Sequence, residues 1–204
     1  MFIPRHPVVE NQFCQLTTSG TGITTGVGGV IAYAGSVCFL DYNATAQDAI
    51  VQIYTDAATQ HASERDPFGF LMQKVKTGYH QVHPVAFMMP GDLGSSDVIA
   101  QPSYSATGDI SGHKDAPVGV AHLGIWDTLH YTVGTPGTDL FHPGELLGVA
   151  SGAASAGGKV THYANRLTNI NVNVAKVVKG ASAAQVQANI ANTTLYPIRI
   201  KLLI

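Results

Sequence analysis

Charge is what this chain has least of: Asp, Glu, Lys and Arg make up 12% of its 204 residues, about half the share usual in soluble domains. Eleven Lys and Arg stand against 13 Asp and Glu, and no basic block exists that would neutralise a run of phosphates. Nucleic acid is therefore not expected as a partner. Long apolar runs are also missing, since nothing approaches the ~20 uninterrupted apolar residues that cross a bilayer. The opening Met1-Phe2-Ile3-Pro4-Arg5-His6-Pro7 lacks the apolar segment of an export signal, so neither a membrane span nor general secretion is expected.

Cysteine is nearly absent. Cys14 and Cys38 have no further Cys or His at zinc-ligand spacing and define no disulfide framework, so both are expected as buried thiols, with a bridge between them the less favoured alternative. Catalytic signatures are missing too: there is no G-x-S-x-G turn, no phosphate-binding P-loop and no Asp-x-Asp-x-Asp calcium loop. Nine histidines are the one exception to this poverty. His80 and His83 are three apart, which suits a helix, but Gly78 and Pro84 bracket them, and on a strand they would face opposite ways. The histidines are thus read as surface or interface imidazoles; an enzyme built on a His-held metal is the weaker alternative, and no cofactor is expected.

What is abundant is β texture. Gly and Thr dominate residues 16–30, which show no apolar periodicity and read as an extended arm, a composition that a disordered terminus shares. Strands are expected within residues 30–40, 49–55, 68–76, 82–89, 118–125, 129–133, 145–150, 159–164, 170–178 and 196–204, with turn residues between them. Residues 90–112 read as an exposed loop carrying short strands. One short helix is expected at residues 182–192, where Ser182 is a fitting cap and Val186 and Ile190 are four apart.

A weak internal echo accompanies this texture. Gly69, Gly119 and Gly148 each follow a large apolar residue and precede an apolar one, and Ala175 repeats the rhythm after Val174. A small residue there marks a close backbone approach at the start of a core strand, unless the echo is chance in a chain with 22 Gly.

Four segments carry a resemblance: Pro143-Gly144-Glu145-Leu146-Leu147-Gly148-Val149-Ala150, then Gly157-Gly158-Lys159-Val160, then Val174-Ala175-Lys176-Val177-Val178-Lys179-Gly180-Ala181-Ser182, and finally Ile198-Arg199-Ile200-Lys201-Leu202-Leu203-Ile204. Together they resemble the capsid decoration, or cement, proteins of tailed bacteriophages. The Gly/Thr-rich start is similar to the arms by which such proteins join a capsid lattice. Residues 56–140 have no counterpart in that resemblance.

The expectations are then as follows. The fold is mainly β, a small β-barrel or β-sandwich with an extended N-terminal arm (1–30) and a β-rich domain (31–204), with a division into 31–140 and 141–204 left open. The resemblance implies a non-enzymatic virion protein on the capsid exterior, bound to the major capsid protein and to itself, with trimers preferred over dimers. A tail or fibre component that binds a host receptor or glycan is the alternative. Interface residues are expected at Thr17, Thr18, Ile23 and Val27 of the arm, at Trp126, and at Arg199 and Lys201 of the last strand. Trp126, the only Trp, reads as a core or interface anchor in preference to a sugar platform. On this reading, removing residues 1–30 leaves the β core folded and abolishes capsid binding.

Overall fold

The computed structural model describes residues 2–5, 10–16, 30–40, 49–54, 66–77, 98–100, 102–104, 110–113, 116–132, 141–150, 158–162, 172–182, 184–185 and 196–204. The strands among them are β1 (Phe2–Pro4), β2 (Glu10–Leu16), β3 (Val30–Ala32), β4 (Val37–Leu40), β5 (Ile50–Ile53), β6 (Gly69–Leu71), β7 (Val75–Thr77) and β8 (Val98–Ala100). The chain continues with β9 (Pro102–Tyr104), β10 (Ile110–His113), β11 (Ala116–Leu123), β12 (Ile125–Thr128), β13 (Leu146–Val149), β14 (Val160–His162), β15 (Ala175–Lys179) and β16 (Ile198–Leu202).

Two sheets dominate. One is a closed barrel in the order β11-β2-β5-β4-β6, in which β2 and β5 run parallel and the other neighbours antiparallel. The other is a six-stranded antiparallel sheet, β1-β12-β16-β15-β13-β14. Smaller sheets, β3-β7-β8 and β10-β9, complete the described strands.

Alternation along each strand sorts side chains between two cores. Cys14 and Leu16 of β2, Val51 and Ile53 of β5, Cys38 of β4 and Val118 and Val120 of β11 fill the barrel. Their strand neighbours Val37, Phe39, Phe70 and Ala121 point the other way and pack with Trp126, Leu147, Val177, Ile198 and Ile200 of the six-stranded sheet. A barrel of five strands has room only for side chains, and Gly69 shows how tightly it is filled: a Cβ there would lie 2.3 Å from Val120 Cγ1. All four echo positions fall in strands, at Gly69, Gly119, Gly148 and Ala175. Gly158 joins barrel to sheet. Its carbonyl accepts the Val37 N–H at 2.8 Å, its φ is +68°, and a Cβ would sit 2.4 Å from the Val37 carbonyl oxygen.

Residues 1–30 hold two strands beside the Gly/Thr run. Within residues 1–30, β1 forms an edge of the six-stranded sheet and β2 is a barrel stave, with Leu16 fully buried. Alternation supplies the reason: Cys14 and Leu16 face the barrel while Phe13 faces solvent, a pattern too short to stand out beside the Gly/Thr run that follows. Residues 17–29 lie outside the described ones. The chain passes from the barrel to the six-stranded sheet at Gly124, between β11 and β12, and β1 pairs with β12 of that sheet.

Smaller differences follow. Cys14 and Cys38 are both free and buried, and burial pushes both thiols up, with the Cys14 charge adding to the rise at Cys38. Of residues 129–133, expected as a strand, Tyr131 makes an isolated bridge to Val160 and no strand forms among 129–132. At the expected helix the capping pair is present, Ser182 N–H donating to Gln185 Oε1 at 2.9 Å and Gln185 N–H to Ser182 Oγ at 3.3 Å, but the described elements include no helix. Residues 186–195 and 78–97 lie outside the described ones, as does the expected strand at 82–89.

Candidate functional site

The six-stranded sheet has a core face and an outer face, and the outer face gathers the charge the chain otherwise lacks. Alternation in β16 buries Ile198, Ile200 and Leu202 and turns Arg199 and Lys201 outward. In β15, Ala175 and Val177 are buried while Lys176, Val178 and Lys179 are exposed. The irregular register between Val177 and Lys179 is a bulge, which places two consecutive residues on the open side.

Register then assembles two rows across the strands. One row runs Leu146–Lys176–Lys201–Ile125, and Arg5 closes it at the edge by donating its N–H to the Ile125 carbonyl at 2.7 Å. The other runs Lys179–Arg199–Asp127–Ile3. Among the described residues this face therefore holds five of the chain's 11 Lys and Arg residues, Arg5, Lys176, Lys179, Arg199 and Lys201, against one of its 13 acidic residues, Asp127. Apolar side chains are interspersed: Leu146, Val178 and Leu203 are 41%, 43% and 45% exposed.

Asp127 organises the edge of the face. Arg199 forks onto it, Nε to Oδ1 at 2.7 Å and Nη2 to Oδ2 at 3.2 Å, while Arg5 Nε reaches Oδ2 at 2.7 Å from the opposite side. The two guanidiniums cover the carboxylate, whose side chain is 8% exposed. The Arg199 hydrogen bond holds Asp127 below the usual carboxylate range; burial opposes it, and the Arg5 bond adds to the lowering. In return Asp127 raises Arg199. Three strands, β1, β12 and β16, are tied by one side chain.

A stability prediction arises here. A carboxyl lowered in the folded state stabilises the protein at pH values above its unfolded value of ~3.9, and loses that contribution as pH falls through the lowered one. Asp127→Asn is expected to cost about 1–2 kcal/mol at pH 7, the lower part of the range for charged hydrogen bonds because both arginines are solvent-screened. Urea titrations at pH 7 and pH 3 check it: the gap between wild type and variant should narrow in acid, and an equal gap at both would contradict the assignment.

The sequence-predicted residues are distributed unequally. Arg199 and Lys201 lie side by side on the outer face of β16, in the two rows described. Strand β16, however, is internal, flanked by β12 and β15, so it does not pair with a neighbouring chain. Trp126 does not belong to an interface: it is 1% exposed in the core, stacked on Phe2, which leaves no ring surface for a partner. Thr17, Thr18, Ile23 and Val27 lie outside the described residues. Arg5, Asp127, Lys176 and Lys179 were not singled out in the sequence, although the alternation in Ala175-Lys176-Val177 carries the same signal as the alternation in β16.

Among the described residues no three His, Cys, Asp or Glu side chains come together at a metal-holding distance. Ser36 Oγ and His130 Nε2 are 3.1 Å apart, the spacing of a nucleophile and its base, but the two residues are 0% and 7% exposed. Their setting is a turn: Ser36 N–H donates to the Tyr33 carbonyl, and the Thr128 hydroxyl accepts the His130 N–H at 3.0 Å. This pair fastens the 33–36 turn to the end of β12. No family model matches the chain, and a search of curated proteins finds no match either.

Proposed function

We propose that this protein is a non-catalytic structural component of a viral particle that binds the outside of an icosahedral head and stabilises it, in the manner of tailed-phage decoration proteins. One observation carries the reading: a charge-poor chain concentrates cations and uncovered apolar side chains on one sheet face, the composition of a protein-docking surface and not of a solvated one. The four segments that resemble decoration proteins coincide with the neighbouring strands β13, β14, β15 and β16, so the resemblance and the face share the same part of the molecule. The partners are the major capsid protein and further copies of this chain, three in preference to two, on the virion exterior.

A glycan-contacting Trp126, one form of the tail or fibre alternative, gains no support from the buried ring. Electron microscopy of particles made with and without this chain tests the proposal. Added density on the head is the expected result, and density confined to the tail, or none on the particle, would overturn it.

A further inference from the structure

We propose that the outer face of the six-stranded sheet recognises an acidic protein surface, and that Lys176 and Lys201 receive its carboxylates. This rests on the reading that the face docks and adds the chemistry of what docks there.

Lys176 and Lys201 are direct partners in the β15–β16 register, both on the outer side. Like charges placed directly opposite across an antiparallel pair are unfavourable, and solvent-facing strand positions accept many other residues. Asp127, the acidic residue in these rows, is already engaged by Arg5 and Arg199. Among the described residues no carboxylate pairs with either lysine, so their field is directed outward. In a chain with only 11 cations, two spent on a mutually repelling pair mark a site for an external anion.

The surroundings decide which anion. Leu146 stands beside Lys176 in the same row, and Val178 and Leu203 are exposed next to it, so the lysines are rimmed by apolar side chains. Such a rim gains from a protein surface, where carboxylates and apolar groups alternate, and gains nothing from a phosphate backbone. A net charge of -2 further disfavours a polyanion such as DNA. A second copy of this face is the poorer occupant, because five cations on each side would meet one carboxylate, Asp127, that Arg5 and Arg199 already engage.

The test uses the full chain and two variants, Lys176→Glu/Lys201→Glu and Lys176→Ala/Lys201→Ala, each checked for a melting temperature within about 2 °C of wild type. Binding is measured to poly-L-glutamate, to duplex DNA and to capsid shells lacking this chain. Wild type is expected to bind poly-L-glutamate in a salt-sensitive manner and in preference to DNA, with the alanine variant about tenfold weaker and the glutamate variant unbound. Equal binding of poly-L-glutamate by all three proteins, or a preference for DNA, would overturn the proposal. Shells separate the two readings. If wild type and both variants bind shells alike, the docking chemistry fails while the capsid reading stands; if no protein binds shells but the lysines still govern poly-L-glutamate, the capsid reading fails alone. Salt-sensitive self-association of wild type, lost in the variants, would replace the foreign partner by a second copy and overturn the proposal.

Discussion

Replacing Trp126 with alanine is expected to destabilise the protein by about 3–5 kcal/mol. Its indole is 1% exposed and lies over Phe2, with ring centroids 4.4 Å apart and planes 7° from parallel; Phe2 in turn stacks on Phe70 at 5.7 Å and 9°. The three rings come from β12, β1 and β6, so they join the edge of the six-stranded sheet to the barrel. Truncation leaves a cavity that rigid strands on both sides cannot close, and it leaves the Leu123 carbonyl without the indole N–H it accepts at 3.2 Å. Against a typical total of ~5–15 kcal/mol the loss is large. Urea unfolding with an unchanged slope measures it. Trp126→Phe retains most of the ring and should cost clearly less; an alanine variant as stable as wild type would contradict the placement of the indole in the core.

Deleting residues 1–16 is expected to abolish the folded state, the second large effect. Strand β2 joins β11 on one side and β5 on the other, and no other described strand connects them. Without it the barrel opens, Val51, Ile53, Val118 and Val120 lose their cover, and two new strand edges face solvent. Aggregation and loss of near-ultraviolet dichroism are the expected signs. Deleting residues 1–5 instead removes β1 and leaves the barrel closed, so that shorter variant should stay soluble with a lowered melting temperature. A soluble, cooperatively folded chain without residues 1–16 would restore the idea that the N-terminal residues are a dispensable arm.

Much of the strand content is legible from alternation and turn residues, because the period of two persists wherever one face is buried. Ile198-Arg199-Ile200-Lys201-Leu202 shows it plainly, and β16 occupies those residues. The residues of β12, Ile125-Trp126-Asp127-Thr128, are harder to read, since Asp127 interrupts the apolar pattern and its reason, a double arginine clamp, comes from residues 122 and 72 positions away in sequence. Strand β2 is hidden for a different reason: polar Gln12 and Gln15 stand around its inward residues Cys14 and Leu16, and the Gly/Thr run follows it directly.

The outer face of the six-stranded sheet was only half legible. Arg199 and Lys201 stand out within their own strand, but their neighbours depend on register, which single-strand patterns do not specify. The Lys176–Lys201 pair is separated by 25 positions in sequence and becomes a pair only when β15 and β16 align. Trp126 shows how one residue leaves alternatives open. A lone Trp is compatible with anchor, interface or platform, and only the stacking of Phe2 from the other end of the chain decides among them.

The most direct measurement is a cryo-electron reconstruction of virus particles carrying this chain, at a resolution that shows strand direction. The account predicts the chain on the head, with the outer face of β15 and β16 turned toward the shell and acidic residues of the shell opposite Lys176 and Lys201. A chain bound through its barrel, with that face open to solvent, would contradict it.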